Sequence, residues 1–117
     1  MDSRELKDRT KNFSVDVIRF LNDVPGKLAT SVIAKQLIRS TTSIGANYRE
    51  ACRARSKKEF ISKLGIVIGE ADESMYWLEI LRDSDLADKN GSDKLVKECN
   101  ELVAIFTASR RTAEEGK

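Results

Sequence analysis

The sequence contains no histidine, only two cysteines and no glycine-rich phosphate-binding motif. The absence of histidine excludes the Ser-His-Asp and Cys-His triads, the commonest general base, and most zinc and iron sites. The cysteines, Cys52 and Cys99, lie far apart without a CxxC partner, so zinc ribbons and thioredoxin-type motifs are excluded as well. We therefore expect a protein that is not an enzyme and needs no metal or cofactor, with both cysteines acting as small buried hydrophobes.

Proline and long apolar runs are also scarce. A single proline and six glycines leave few interruptions, which favours long helices. The apolar runs are too short to span a bilayer, and residues 1–11 carry mixed charges without the apolar stretch of a signal peptide. With 40% hydrophobic and 34% charged residues, the chain is expected to be soluble and cytoplasmic, without a membrane partner. Its 117 residues suit one domain, residues 1–117, that buries about 65% of its unfolded surface.

Apolar residues recur at three- and four-residue steps in four stretches, which predicts four amphipathic helices. The predicted helices cover about 4–23, 29–54 and 57–83, with the fourth beginning after Asn90-Gly91 at a Ser92 or Asp93 cap. Short connections between them predict an all-α fold, an antiparallel up-and-down four-helix bundle. The predicted core positions are Leu6, Phe13, Val17, Phe20, Leu21 and Val24; Ile33, Leu37, Thr41, Ile44, Tyr48 and Ala51; Phe60, Leu64, Val67, Ala71, Ser74, Leu78 and Leu81; and Leu95, Cys99, Leu102, Val103, Phe106 and Ala113.

Two local features add detail to this prediction. Ser56 and Glu59 have the spacing of a capping box, in which the Ser56 hydroxyl accepts the Glu59 amide and the Glu59 carboxylate accepts the Ser56 amide. Residues 40–46 of the second helix are unusually rich in small side chains, which lowers helix propensity but allows another helix to approach closely. Asp2 or Ser3 is expected to cap the first helix.

Charge is distributed unevenly, although the net charge is only +2. Residues 27–63 contain nine basic and two acidic residues, a net charge of +7, whereas residues 64–93 contain two basic and eight acidic residues, a net charge of −6. At about 100° per residue, four cations of the second helix fall within an arc of about 80°, opposite its apolar seam. The predicted nucleic-acid-binding residues are these four, Lys35, Arg39, Arg49 and Arg53, together with Arg55, Lys57 and Lys58.

Three interpretations of this basic surface stay open. It is a solvated helix face, a site for RNA or DNA phosphates, or one half of a subunit interface. The third helix supplies the other half of such an interface, because its predicted outward patch is apolar and is flanked by Glu70 and Glu73. That predicted oligomer interface consists of Ile66, Tyr76, Trp77 and Ile80. Trp77 is read as an interface anchor, with base stacking as the alternative.

Three segments carry a resemblance to a known family: residues 43–51 (SIGANYREA), 55–60 (RSKKEF) and 69–73 (GEADE). With them the chain resembles the bacterial four-helix-bundle proteins encoded in intervening sequences of 23S ribosomal RNA genes. The resemblance implies a protomer that assembles into a ring, commonly a homopentamer. It also implies distant kinship with the accessory variability proteins of diversity-generating retroelements, which bind a reverse transcriptase and nucleic acid.

From the charge pattern and the resemblance together, we predict a homo-oligomeric helical adaptor that binds RNA or DNA through its second helix and can dock a protein partner. The alternative is a purely structural interaction module, in which the basic and acidic faces mediate ring assembly.

Overall fold

Four α-helices make up the chain in the computed structural model, which describes residues 1–116. The first helix, α1, covers Ser3–Asn22, and α2 covers Leu28–Cys52. They are followed by α3 at Lys57–Asp83 and α4 at Lys89–Glu114. Among the described residues, no helix combines the length and the apolarity that crossing a lipid bilayer requires.

The helices run side by side along a rod that measures 47 × 20 × 20 Å. A helix of 20 to 27 residues is about 30 to 40 Å long, so each helix follows the long axis of the rod. Because the connecting loops are short, successive helices are antiparallel. Each helix packs against its neighbours in sequence, and α4 packs against α1 to close the bundle. The prediction of an antiparallel up-and-down four-helix bundle is therefore confirmed.

The core consists of side chains from all four helices, at the spacing that the sequence predicted. The α3 seam is buried from Leu64 to Leu81, and its first member, Phe60, is half-buried. The other predicted positions that are half-buried are Phe20, Leu21, Val24, Ile33, Val103 and Ala113. The predicted core positions that are buried are Leu6, Phe13, Val17, Leu37, Thr41, Ile44, Tyr48, Ala51, Leu64, Val67, Ala71, Ser74, Leu78, Leu81, Leu95, Cys99, Leu102 and Phe106.

The small residues at the centre of α2 allow close packing on both sides, as predicted. Towards α3, the Thr41 hydroxyl donates to the Ser74 hydroxyl at 3.2 Å, and the Ser74 hydroxyl donates to that of Ser40 at 2.9 Å. Towards α1, a Cβ at Gly45 would lie only 3.2 Å from the Thr10 hydroxyl oxygen. These hydroxyl-bearing residues are fully buried. Because the hydroxyls of Thr41, Ser74 and Ser40 are hydrogen-bonded to one another, the interface between α2 and α3 tolerates polar side chains.

The predicted caps of α1 and α3 are confirmed. Asp2 caps α1 and forms a full capping box with Glu5. At α3, the Ser56 hydroxyl accepts the Glu59 amide at 3.1 Å, as predicted. The second half of the predicted box is wrong, because the Glu59 carboxylate accepts the backbone N–H of Arg55, not that of Ser56.

The predicted start of α4 is also wrong. The helix begins at Lys89, because the Asp88 carboxylate caps it by accepting the Gly91 amide at 2.7 Å. Gly91 thus lies inside the first turn and does not form a turn before the helix. It is small because α1 approaches here: a Cβ at this position would lie 2.8 Å from a ring carbon of Phe20. This contact joins residues far apart in the sequence, and a local pattern does not reveal it.

Replacing Ser56 by alanine should lower the free energy of unfolding by about 1 kcal/mol, because the Glu59 amide loses its acceptor. The matched control is Ser62→Ala, at an exposed position inside α3, where alanine should leave stability unchanged or raise it by a few tenths of a kcal/mol. Urea unfolding followed by circular dichroism measures both variants. Equal stabilities of the two variants would contradict the cap.

Candidate functional site

Arg39, one of the predicted nucleic-acid-binding residues, is paired within the chain. Its guanidinium donates to Glu70 on α3 at 3.2 Å and to Glu73, one turn further along α3. The same Glu73 carboxylate accepts the indole N–H of Trp77 at 3.0 Å. The hydrogen bond from Arg39 and, to a smaller extent, the hydrogen bond from Trp77 lower the pKa of the Glu73 carboxyl below its usual value. The acidic flank that was predicted to face a second subunit therefore already faces α2 of its own chain.

The other six predicted cations remain exposed. Lys35 and Arg49 lie on the outer face of α2, whereas Arg53 is the C-cap residue of α2 and Arg55 lies in the loop after it. Lys57 and Lys58 belong to the first turn of α3, where cations are unfavourable beside the positive end of the helix dipole. Within residues 1–116, none of the six takes part in an ion pair. Most of them gather at the end of the bundle where α2 ends and α3 begins.

A cleft of about 610 Å³ opens at this same end. Arg55 and Lys57 lie on its wall, and among residues 1–116 no carboxylate lines it. Tyr48 and Phe60 provide aromatic surface, although Tyr48 is largely buried against Phe106, with ring centroids 5.1 Å apart. Burial and, to a smaller extent, a hydrogen bond to Cys52 raise the pKa of Tyr48, so its phenol stays protonated. The cleft offers positive charge and apolar surface to an anionic ligand.

Interhelical ion pairs occur at three of the four helix interfaces. Between α1 and α4, Arg9 donates to Glu98 at 2.6 and 2.7 Å and to Glu101 at 2.9 Å. Between α3 and α4, Arg82 donates to Asp93 at 3.0 Å.

Between α2 and α3, Lys63 donates to Glu50 at 2.7 Å, in addition to the contacts of Arg39. Each of these interfaces thus contains at least one ion pair between its two helices.

The interface between α1 and α2 differs, because cations from both helices border one cleft. Lys7 and Lys11 project from α1, and Arg49 projects from α2. Sequence analysis did not include Lys7 and Lys11 in the basic surface. Their four-residue spacing on α1 was a signal that they share a face, but which helix they would lie beside depends on the packing of α1.

The predicted apolar interface residues are only partly exposed. Tyr76 is 54% exposed and Ile66 is 43% exposed, so both present apolar surface to solvent. Trp77 and Ile80 are half-buried, and Trp77 packs against the core while its ring meets that of Tyr76 edge-on. Sequence analysis missed two further apolar residues, Leu28 and Val32 in the first turns of α2, which are 85% and 56% exposed. The predicted α2 began after Leu28, so this residue was not assigned to a helix face.

The Cys99 thiol is buried in the core. It donates to the backbone carbonyl oxygen of Ala71 at 3.0 Å, and burial raises its pKa to about 12. Cys99 is therefore a buried hydrophobe, as predicted, whereas Cys52 is only half-buried. In the part of the chain that the structure describes, acidic and cysteine side chains form no group that could hold a metal ion.

Replacing Arg39 by glutamine should raise the pKa of Glu73 towards that of a free glutamate, with the Trp77 indole still lowering it slightly. Because the folded pKa lies below the unfolded one, the pair stabilises the protein above about pH 4.3, and this stabilisation disappears as pH falls through the folded value. Carboxyl-carbon NMR titration measures the pKa directly. Arg19→Gln, which removes an exposed arginine on α1, is the control, and an equal shift in both variants would contradict the pair.

The chain matches the family described as 23S rRNA-intervening sequence protein over residues 3–108. It is also similar to a protein with unknown function of the S23 ribosomal protein family from Bacteroides thetaiotaomicron, whose crystal structure was solved at 1.70 Å. That comparison has a TM-score of 0.86 and 32% sequence identity, and covers 95% of this chain and 99% of the other. No match was found among curated proteins.

The family match covers nearly the whole bundle and confirms the resemblance carried by residues 43–51, 55–60 and 69–73. The chain belongs to the 23S rRNA-intervening sequence protein family.

Proposed function

We propose that the protein is a non-enzymatic, cytoplasmic, homo-oligomeric adaptor that binds RNA or DNA through the cations of α2 and of the α2–α3 loop. The observation that carries this proposal is the contrast between Arg39, which is paired with two carboxylates, and Arg49, Arg53 and Arg55, which take part in no ion pair within residues 1–116. Cations that the fold leaves exposed at one end of a rod create a positive potential there. Nucleic-acid phosphates are the ligands that such a surface favours.

The chemistry of the exposed side chains supports phosphate as the ligand. An arginine guanidinium grips two phosphate oxygens at once, and the lysine ammonium groups add positive charge. Arg55 and Lys57 also border the cleft with Tyr48 and Phe60, so aromatic surface lies close to the cations. Single-stranded nucleic acid is bound by this combination of charge and aromatic surface.

Binding without catalysis agrees with the state of the potentially reactive groups. The Cys99 thiol has a pKa of about 12 and is held against a backbone carbonyl, so it is not a nucleophile near neutral pH. The Tyr48 phenol, whose pKa burial raises, stays protonated. The Glu50 carboxylate is held by Lys63, which gives it a structural role. The state of these three groups therefore supports a structural role for them and a binding function for the protein.

Assembly into a ring, for which we propose a pentamer, is supported by the exposed apolar residues of two adjacent helices. Tyr76 and Ile66 on α3, with Leu28 and Val32 on α2, expose large apolar side chains to solvent. Large aromatic side chains at such positions are typical of subunit interfaces. A purely structural module would use the same apolar residues without binding nucleic acid, so binding and assembly have to be measured separately.

We expect a mixed-sequence single-stranded RNA oligonucleotide to bind with an affinity that falls steeply with salt. The triple variant Arg53→Gln/Arg55→Gln/Lys58→Gln should make the slope of log K against log salt less steep by about 2, at about 0.7 per lost phosphate contact. The matched control is Lys94→Gln/Lys97→Gln, at exposed positions on α4, which should keep the wild-type slope. Fluorescence anisotropy over a salt series gives the slopes, and a wild-type protein without salt-dependent binding would rule out the proposal.

Multi-angle light scattering should give a solution mass several times the 13.1 kDa of the protomer. Replacing Tyr76 by glutamate should lower this mass, because a carboxylate opposes desolvation at an interface, while helix content stays unchanged. Tyr76 is the better position than Trp77, which also packs against the core. Thr107→Glu, at an exposed position on α4, is the control and should keep the wild-type mass. A monomeric wild type at micromolar concentration would refute assembly.

A further inference from the structure

The α1–α2 interface is the exception to a pattern that the rest of the bundle obeys. Arg9 joins α1 to α4, Arg39 joins α2 to α3, and Arg82 joins α3 to α4, each through carboxylates of the adjacent helix. Within residues 1–116, no ion pair joins α1 to α2. Among the described residues, three of the four interfaces therefore contain an interhelical ion pair, and the fourth does not.

A cleft of about 260 Å³ lies along this fourth interface. Three cations border it, Lys7 and Lys11 from α1 and Arg49 from α2, and in the part of the chain that the structure describes no carboxylate lines it. The other lining residues are small or carry hydroxyls: Ser14, Thr42 and Gly45. Gly45 has no side chain. It therefore leaves space at the base of the cleft and also allows α1 and α2 to pack closely.

The arrangement costs stability in the absence of a ligand. Like charges on neighbouring positions repel one another, and neither Lys7, Lys11 nor Arg49 has a carboxylate partner among residues 1–116 to offset this repulsion. An anion in the cleft would remove the repulsion and gain charge-assisted hydrogen bonds. The cleft therefore has the features of a site that a ligand completes.

The neighbouring residues indicate that the anion belongs to a chain of phosphates. Arg4 precedes Lys7 on the same face of α1, and Arg53, the C-cap residue of α2, follows Arg49 by four residues. Because α1 and α2 are antiparallel, the two rows run side by side from the cleft towards the end of the bundle. A row of cations at this spacing suits a polymer with one negative charge per nucleotide better than a single small anion.

We infer that the cleft formed by Lys7, Lys11 and Arg49 binds a phosphate group of the nucleic-acid backbone, and that the bound strand lies across α1 and α2, away from α3. The inference rests on the proposed function and adds α1 to the site. On the α3 side of α2, Arg39 and Lys63 are neutralised by carboxylates of their own chain, so that side offers a strand less positive charge.

The test is the double variant Lys7→Gln/Lys11→Gln, assayed with the same single-stranded RNA over a salt series. We expect the slope of log K against log salt to become less steep by about 1.4, which corresponds to two lost contacts at about 0.7 each. Lys94→Gln/Lys97→Gln removes the same charge from α4 and should keep the wild-type slope. The midpoint of urea unfolding should stay the same or rise in the cleft variant, since repulsion is relieved, whereas a structural role for these lysines would lower it.

The outcomes separate this inference from the proposed function. If the wild type binds RNA and the cleft variant binds with an unchanged slope, while Arg53→Gln/Arg55→Gln/Lys58→Gln weakens binding, the inference is overturned and the proposed function stands. If the wild type does not bind RNA at low salt, both fail. Binding of wild-type protein to vesicles of anionic phospholipid, without binding to RNA, would assign the cleft to a lipid phosphate and overturn the inference as well.

Discussion

Helix α2 carries small side chains at its centre, and both of its neighbours pack against them. The buried hydroxyls form a chain in which Thr41 donates to Ser74 and Ser74 donates to Ser40, which in turn donates to the backbone of Leu37. On the opposite side, Gly45 admits α1 to within van der Waals contact of its backbone. These contacts leave no room for larger side chains. They therefore fix both the rotation of α2 about its own axis and its position along that axis relative to α1 and α3.

This packing determines which cations of α2 remain available to a ligand. Arg39 and Arg49 belong to the same predicted stripe, but the flank that carries Arg39 leans towards α3 and its two carboxylates, whereas Arg49 borders the cleft shared with α1. Pairing therefore removes one side of the stripe from the surface and leaves the other side charged. Function is thus proposed for the faces of α2 that do not meet acidic neighbours, and the apolar residues Ile66 and Tyr76 on α3 are left for assembly.

Sequence analysis succeeded where the signal is local or periodic and failed where it depends on packing between helices. The α3 core from Leu64 to Leu81 and the Ser56 cap were predicted correctly, because spacing and capping chemistry act within one helix. The start of α4 was wrong, because Asn90-Gly91 was read as a turn, whereas Asp88 caps the helix and Gly91 lies in its first turn against Phe20. The partners of Arg39 and the position of Lys7 beside α2 were likewise not predictable, since angular position on one helix does not specify the charges on the next.

Lysine acetylation followed by mass spectrometry tests directly whether a nucleic-acid strand lies across α1 and α2. The wild-type protein is acetylated briefly with and without a saturating single-stranded RNA, and modification is compared lysine by lysine, so the result does not depend on the size of the oligomer. The account predicts that RNA protects Lys7 and Lys11, while Lys94 and Lys97 on α4 react equally in both samples. Equal reactivity of Lys7 and Lys11 with and without bound RNA would contradict it.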